Sequence, residues 1–180
     1  ERKNRYSKSP KFKYLQLLSL MKFRRLSAKS STDITRLLAV QTKLLGETLQ
    51  EADLISPWQI EAALQDKLQY PDLKLGEILT QKEFIKSTTA DFFAQDWTRA
   101  VIESEKNALG YYLQQAAIID HQQVEFVLAQ QRISGVRFGT VAVLQGFLKS
   151  TTLDFFLANL FPQEFNVSPF VNLHRGVSLF

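Results

Sequence analysis

Few side chains in this sequence could do chemistry. Two histidines, His121 and His174, are the only imidazoles, and cysteine is absent. Without cysteine there are no disulfides, zinc ribbons, iron–sulfur ligands or thiol nucleophiles. Two histidines cannot form a His-rich metal site. His121 falls where a helix is expected to begin, facing solvent, and His174 falls in the C-terminal tail. Neither has a nucleophile paired with it in sequence. The carboxylates Glu47/Glu51 and Glu103/Glu105 read as solvated helix faces rather than an acid–base pair. No Gly-x-x-x-x-Gly-Lys loop is present to hold a nucleotide phosphate. The expectation is therefore a protein that is not an enzyme, with no catalytic set, no metal and no resident cofactor.

The charges are more informative. The formal net charge is +4. Residues 1–43 carry twelve basic and two acidic side chains, and residues 44–180 carry ten basic and sixteen acidic. This is a basic arm on an acidic body. In the arm, Arg2, Lys3, Arg5, Lys8, Lys11, Lys13, Lys22, Arg24 and Arg25 alternate with Tyr6, Phe12, Tyr14 and Phe23. The run Tyr14–Leu26 has the pattern of a short amphipathic helix, and 27–32 reads as a linker. Such an arm suits an acidic surface: a larger protein assembly, an anionic membrane face or nucleic acid. No RNP-like or zinc-finger pattern gives nucleic acid a special place among these. A solvated tail is the alternative without function.

What must position any site is a repeat. Four segments align on a glycine: Leu45-Gly46, Leu75-Gly76, Leu109-Gly110 and Phe138-Gly139. Eight residues after each glycine stands an apolar pair: Leu54-Ile55, Phe84-Ile85, Ile118-Ile119 and Phe147-Leu148. Further apolar positions follow at fourteen (Ile60, Ala90, Val124, Leu153) and eighteen (Leu64, Ala94, Leu128, Leu157). Spacings of three and four are helical, so each unit predicts helix, tight turn, helix. Ser56-Pro57-Trp58-Gln59 and Asp120-His-Gln-Gln123 have the capping-box pattern. Thr88 and Thr151 can cap as well, in competition with Ser87 and Ser150. Glycine costs roughly 1 kcal/mol against alanine inside a helix, so four in register imply that another helix or a ligand approaches the backbone closely, with helix crossing the favoured reading.

A second level of repetition pairs the units. Phe84-Ile-Lys-Ser-Thr-Thr-Ala-Asp-Phe-Phe93 recurs as Phe147-Leu-Lys-Ser-Thr-Thr-Leu-Asp-Phe-Phe156. The paired phenylalanines read as core, with a pigment or lipid groove between the blocks as the alternative. The fold expectation is all-α: tandem helical hairpins in two related blocks with an extended basic N-terminal arm. The divisions are 1–43 (arm), 44–103 (first block), 104–161 (second block) and 162–180 (aromatic tail). Length permits a sizeable core, and no stretch approaches the ~20 apolar residues of a membrane span. No secretory signal is read, so a cytoplasmic place is expected, with peripheral attachment to a membrane as a variant.

The repeat resembles the MshEN-type N-terminal domain of type II secretion and type IV pilus assembly ATPases over about 44–161. That motif runs Arg-Leu-Gly, an aliphatic residue, glycine at seven, an aliphatic pair, then Leu, Leu and Gln. Some members of the family bind cyclic di-GMP through the arginine, the glycine backbone and the apolar residues. The resemblance therefore implies a possible ligand site at Lys74, Gly76, Arg137 and Gly139. The leading position is Leu44, Lys74, Ala108 and Arg137 across the four units, and glycine at seven occurs only as Gly146. Its counterparts Asp53, Glu83 and Ala117 put negative charge, twice, where a phosphate would sit. The closing glutamine occurs only as Gln131. The duplicated wording also resembles cyanobacterial proteins built from such repeats without an ATPase. That likeness implies docking on a photosynthetic antenna or photosystem complex, at a thylakoid face. The leading expectation is a non-catalytic adaptor or scaffold. A cyclic di-GMP sensor and a nucleic-acid-binding arm are the alternatives.

Overall fold

The computed structural model describes residues 43–165. Its elements are α1 (Leu45–Glu51), α2 (Pro57–Gln69), α3 (Leu75–Gln81) and α4 (Ser87–Asp91). A π-helical turn (Phe92–Asp96) joins α4 to α5 (Trp97–Ile102). The second half follows with α6 (Leu109–Gln115), α7 (His121–Ser134), α8 (Phe138–Leu144), α9 (Ser150–Leu160) and α10 (Pro162–Phe165). The described residues are all-α, with no strand among them. The arm, from Arg2 to Arg25, and the tail beyond Phe165 lie outside the described residues. The helix expected over 14–26 and the placement of His174 lie there too.

Four short helices, α1, α3, α6 and α8, each carry the marker glycine as second residue. Each leads through a turn of equal length (52–56, 82–86, 116–120, 145–149) into a second helix. The turns share one construction. The residue seven after the glycine adopts positive φ: Asp53 (54°), Glu83 (56°), Ala117 (52°) and Gly146 (72°). The next amide reaches back to the helix: Leu54 N to Leu49 O, Phe84 N to Leu79 O, Ile118 N to Leu113 O and Phe147 N to Ala142 O, each 3.0 Å. Asp53, Glu83, Ala117 and Gly146 donate in turn to Gln50, Thr80, Gln114 and Val143. This double bond pattern is the Schellman termination. It satisfies carbonyls that a helix end otherwise leaves open. The glycine at seven is thus a backbone requirement, and Asp53 and Glu83 stand at helix ends.

Helix starts follow the sequence in two cases. Ser56 N donates to Gln59 Oε1 at 2.8 Å, with Pro57 at the first helical position. Asp120 and Gln123 exchange two bonds, both 2.8 Å. Two other starts differ from expectation. Lys86 and Lys149, not a serine or threonine, occupy the cap positions of α4 and α9. Thr89, Thr151 and Thr152 bond to the other block instead. Glu103 and Glu105 lie beyond the end of α5 rather than on a helix face. The helical pattern also runs one turn past the expected limit, through Pro162–Phe165.

The glycines mark close crossings. A Cβ on Gly46 would stand 3.0 Å from Ile60 and 3.4 Å from Leu75, and one on Gly76 would stand 3.3 Å from Ala90 and 3.4 Å from Leu45. In the second block a Cβ on Gly110 would meet the Phe138 ring at 2.9 Å. One on Gly139 would meet Leu153 at 2.6 Å and Leu109 at 3.3 Å. The contacts are reciprocal: each glycine receives the apolar residue that precedes the other glycine of its block. Each block is therefore two hairpins related by an approximate twofold.

Aromatic side chains join the blocks. Phe92, Phe93, Trp97, Phe155 and Phe156 are all buried. Trp97 stacks on Phe155 (4.9 Å, 19°) and meets Phe156 edge-on (5.4 Å, 69°), while Phe93 lies 6.1 Å from Phe156. The phenylalanine pairs are core, as expected. The π turn, in which the Trp97 amide bonds to Phe92 O, has no counterpart in the unbroken α9.

Candidate functional site

Two features stand out from the hairpins: a clasp between the blocks and a groove within the second block. The clasp comes from the duplicated Lys-Ser-Thr-Thr wording. Thr152 Oγ1 donates to Ala52 O and Thr89 Oγ1 to Ala116 O, both at 2.8 Å and both buried. Lys149 Nζ donates to Asp53 O at 3.0 Å and Lys86 Nζ to Ala117 O at 3.1 Å. The second hairpin of each block thus caps the first α-helix end of the other. One half is reinforced: Asp53 also accepts Thr151 Oγ1 at 2.6 Å and pairs with Lys149 at 3.4 Å. Ala117 in the other half has no side chain to do this. The duplicated residues close the body, and this accounts for their recurrence without a ligand.

The groove has a volume of about 650 Å³. Its walls come from α6, α7, α8 and α9: Leu109, Val124 and Leu128 contribute aliphatic surface, Tyr111, Phe138 and Phe161 contribute rings, and the buried Leu153 and Leu157 lie beneath. Arg137, Gln131, Thr140 and Glu164 add polar groups, and Gly110 and Gly139 lie along it. Of the residues expected at a ligand site, Arg137 and Gly139 come together here. Lys74 and Gly76 do not join them: they belong to the first block's own glycine pair and are not among the residues lining the groove. Arg137 is exposed, caps the start of α8 and enters none of the ion pairs among the described residues. Residues missed by the sequence reading are Thr140, Phe161 and Glu164. Phe161 and Glu164 reach the groove because the chain turns back after α9, which no periodicity signals.

Outside the groove, His121 is exposed at the start of α7. Glu47 and Glu77 accept the backbone amides of Leu44 (3.2 Å) and Lys74 (2.7 Å), closing helix starts. Glu51 pairs with Lys43 at 2.5 Å. No group of three or more metal-ligating side chains occurs among the described residues.

The long helices expose apolar side chains. In α2 only Ala63 is buried, while Trp58 (62%), Leu64 (49%) and Leu68 (84%) are exposed, followed by Tyr70 (56%). Leu64, placed by its spacing with the inward positions, faces out. Trp58, Glu61, Leu64 and Leu68 fall on one stripe at intervals of three and four.

Comparison with known proteins yields one relative of note. An uncharacterized protein of Picosynechococcus sp. is 41% identical over 122 residues, covering 68% of this chain and 66% of that protein. No family model matches the chain. No solved structure matches it.

Proposed function

We propose that the protein is a non-catalytic adaptor. Its basic arm anchors to the acidic face of a larger assembly, and its acidic body presents α2 to a second partner. The observation that carries this reading is the exposed stripe Trp58, Leu64 and Leu68, with Tyr70 beyond it. A 13-residue helix that buries only Ala63 in its own core has apolar surface left for something else. Anchors at intervals of three and four suit a helix-on-helix or helix-in-groove contact. The uneven charge of arm and body supports two different partners. A photosynthetic antenna or photosystem face is the assembly proposed for the arm, at the thylakoid surface.

The test compares three proteins: the full chain, the chain lacking residues 1–42, and Leu64→Glu/Leu68→Glu. Both leucines are exposed, so the double variant keeps its circular dichroism. Partners captured from the native source should differ: arm deletion loses the salt-sensitive set and the double variant loses another. Equal recovery by all three rejects the adaptor.

A cyclic di-GMP sensor is the second reading, favoured by the placement of Arg137, Gln131 and Gly139 on one groove. Two phosphates call for more than one forked cation, and the groove supplies Arg137. Titration with cyclic di-GMP decides it, with Arg137→Ala as the control.

A further inference from the structure

We infer that the second-block groove binds one long-chain carboxylate, such as a free fatty acid, with its head at Arg137 and its chain along the aliphatic walls. This does not depend on the adaptor reading. Shape and lining carry the argument. At about 650 Å³ the groove has the size of a small-molecule site. Leu109 on α6 and Val124 and Leu128 on α7 are half-buried and give the accessible aliphatic surface, over a floor of the buried Leu153 and Leu157 on α9. Aliphatic walls suit methylene groups. Tyr111, Phe138 and Phe161 add ring faces to the same lining, which accept methylene groups as well as bases, so charge makes the choice between them.

Charge fixes the head group. Arg137 is the cation on the groove and forms no ion pair among the described residues. Its planar fork matches a carboxylate with two parallel bonds. Gln131 and Thr140 offer neutral donors on the same groove. Glu164 sets the limit, because its carboxylate on the same lining repels additional negative charge. One cation, neutral donors and an opposing carboxylate fit a single anion better than a dianion. The glycine crossings supply the geometry. Helices α6 and α8 approach within the reach of a missing Cβ at Gly110 and Gly139, so the four walls meet as a trough rather than as separate helices.

The experiment titrates the full chain with dodecanoate below its micelle concentration, following both heat and backbone amide resonances. Octanoate, dodecyltrimethylammonium and cyclic di-GMP serve as comparison ligands. One saturable dodecanoate should bind, several-fold tighter than octanoate because more methylenes are removed from water. Resonances of Gly110 and Gly139 should shift. Arg137→Gln should weaken dodecanoate about fivefold or more, and Glu164→Gln should strengthen it about twofold. Both side chains are exposed, so neither change threatens the fold. The cationic dodecyl ligand should bind more weakly than dodecanoate. The inference is overturned by unsaturable binding, by equal affinity in wild type and Arg137→Gln, or by shifts confined to the α2 stripe. Tight cyclic di-GMP binding that excludes dodecanoate also overturns it, in favour of the sensor.

Discussion

At the scale of single residues, the position seven after each glycine is the most constrained in the repeat. A left-handed conformation costs an L-residue with a Cβ roughly 1–2 kcal/mol. Three of the four units accept that cost, at Asp53, Glu83 and Ala117. Asp53 has a compensation, since its carboxylate joins the clasp. Glu83 is exposed. Glu83→Gly should therefore raise stability by about 0.5–1 kcal/mol, after the greater freedom of glycine in the unfolded chain is subtracted. Gly146→Ala should lower it by a similar amount, although nothing lies within 4 Å of the added Cβ. Urea denaturation with unchanged m-values is the measurement. Opposite signs at equivalent positions would establish conformation, not contacts, as the cause.

Among the elements, the clasp is what distinguishes a closed body from a string of hairpins. Thr152 and Thr89 are buried and donate to the carbonyls of Ala52 and Ala116. Replacing either with valine keeps the shape and leaves a buried carbonyl without that donor. The expected cost is about 1–3 kcal/mol for each. The two sites share no partner, so Thr89→Val/Thr152→Val should cost about the sum of the single changes. Near-neutral single variants would mean that water replaces the hydroxyls and that the clasp contributes little. The Gly-marked crossings act at the same scale. Gly139 is the tightest, with Leu153 held against it at 2.6 Å and itself buried, whereas the nearest approach at Gly76 is 3.3 Å, to Ala90.

Across the molecule, the reciprocal clasps and the shared aromatic core make the two blocks interdependent. Stacked repeats that touch only their neighbours can unravel from an end. Here the last hairpin caps the first, so unfolding of the described body should be one cooperative transition. The two tryptophans report on this separately: Trp58 is 62% exposed and Trp97 is 3% exposed. In Trp58→Phe the remaining emission comes from Trp97 between the blocks. Its thermal transition should coincide with loss of far-ultraviolet circular dichroism. Two separated transitions would show blocks that fold alone. No helix among the described residues is long and apolar enough to cross a membrane.

Much of the architecture was legible in the sequence because its causes are local. The spacing of apolar residues, Ser56-Pro57 and Asp120 at helix starts, and the register of Gly46, Gly76, Gly110 and Gly139 all act within a few residues. They determine four helical hairpins, their order and their close crossings. The sequence also fixes the charge division between arm and body. Tertiary structure alone decided the rest. Lys-Ser-Thr-Thr reads locally as a helix cap, yet Thr152 serves a carbonyl a hundred residues away. The same periodicity that sends Leu157 inward leaves Leu64 exposed, because periodicity sets the face of a helix a residue takes and not what lies opposite it. Arg137 and Gly139 meet Leu128 and Glu164 on a groove for a related reason: which helices lie side by side depends on the summed fit of distant surfaces, and no local pattern encodes that sum.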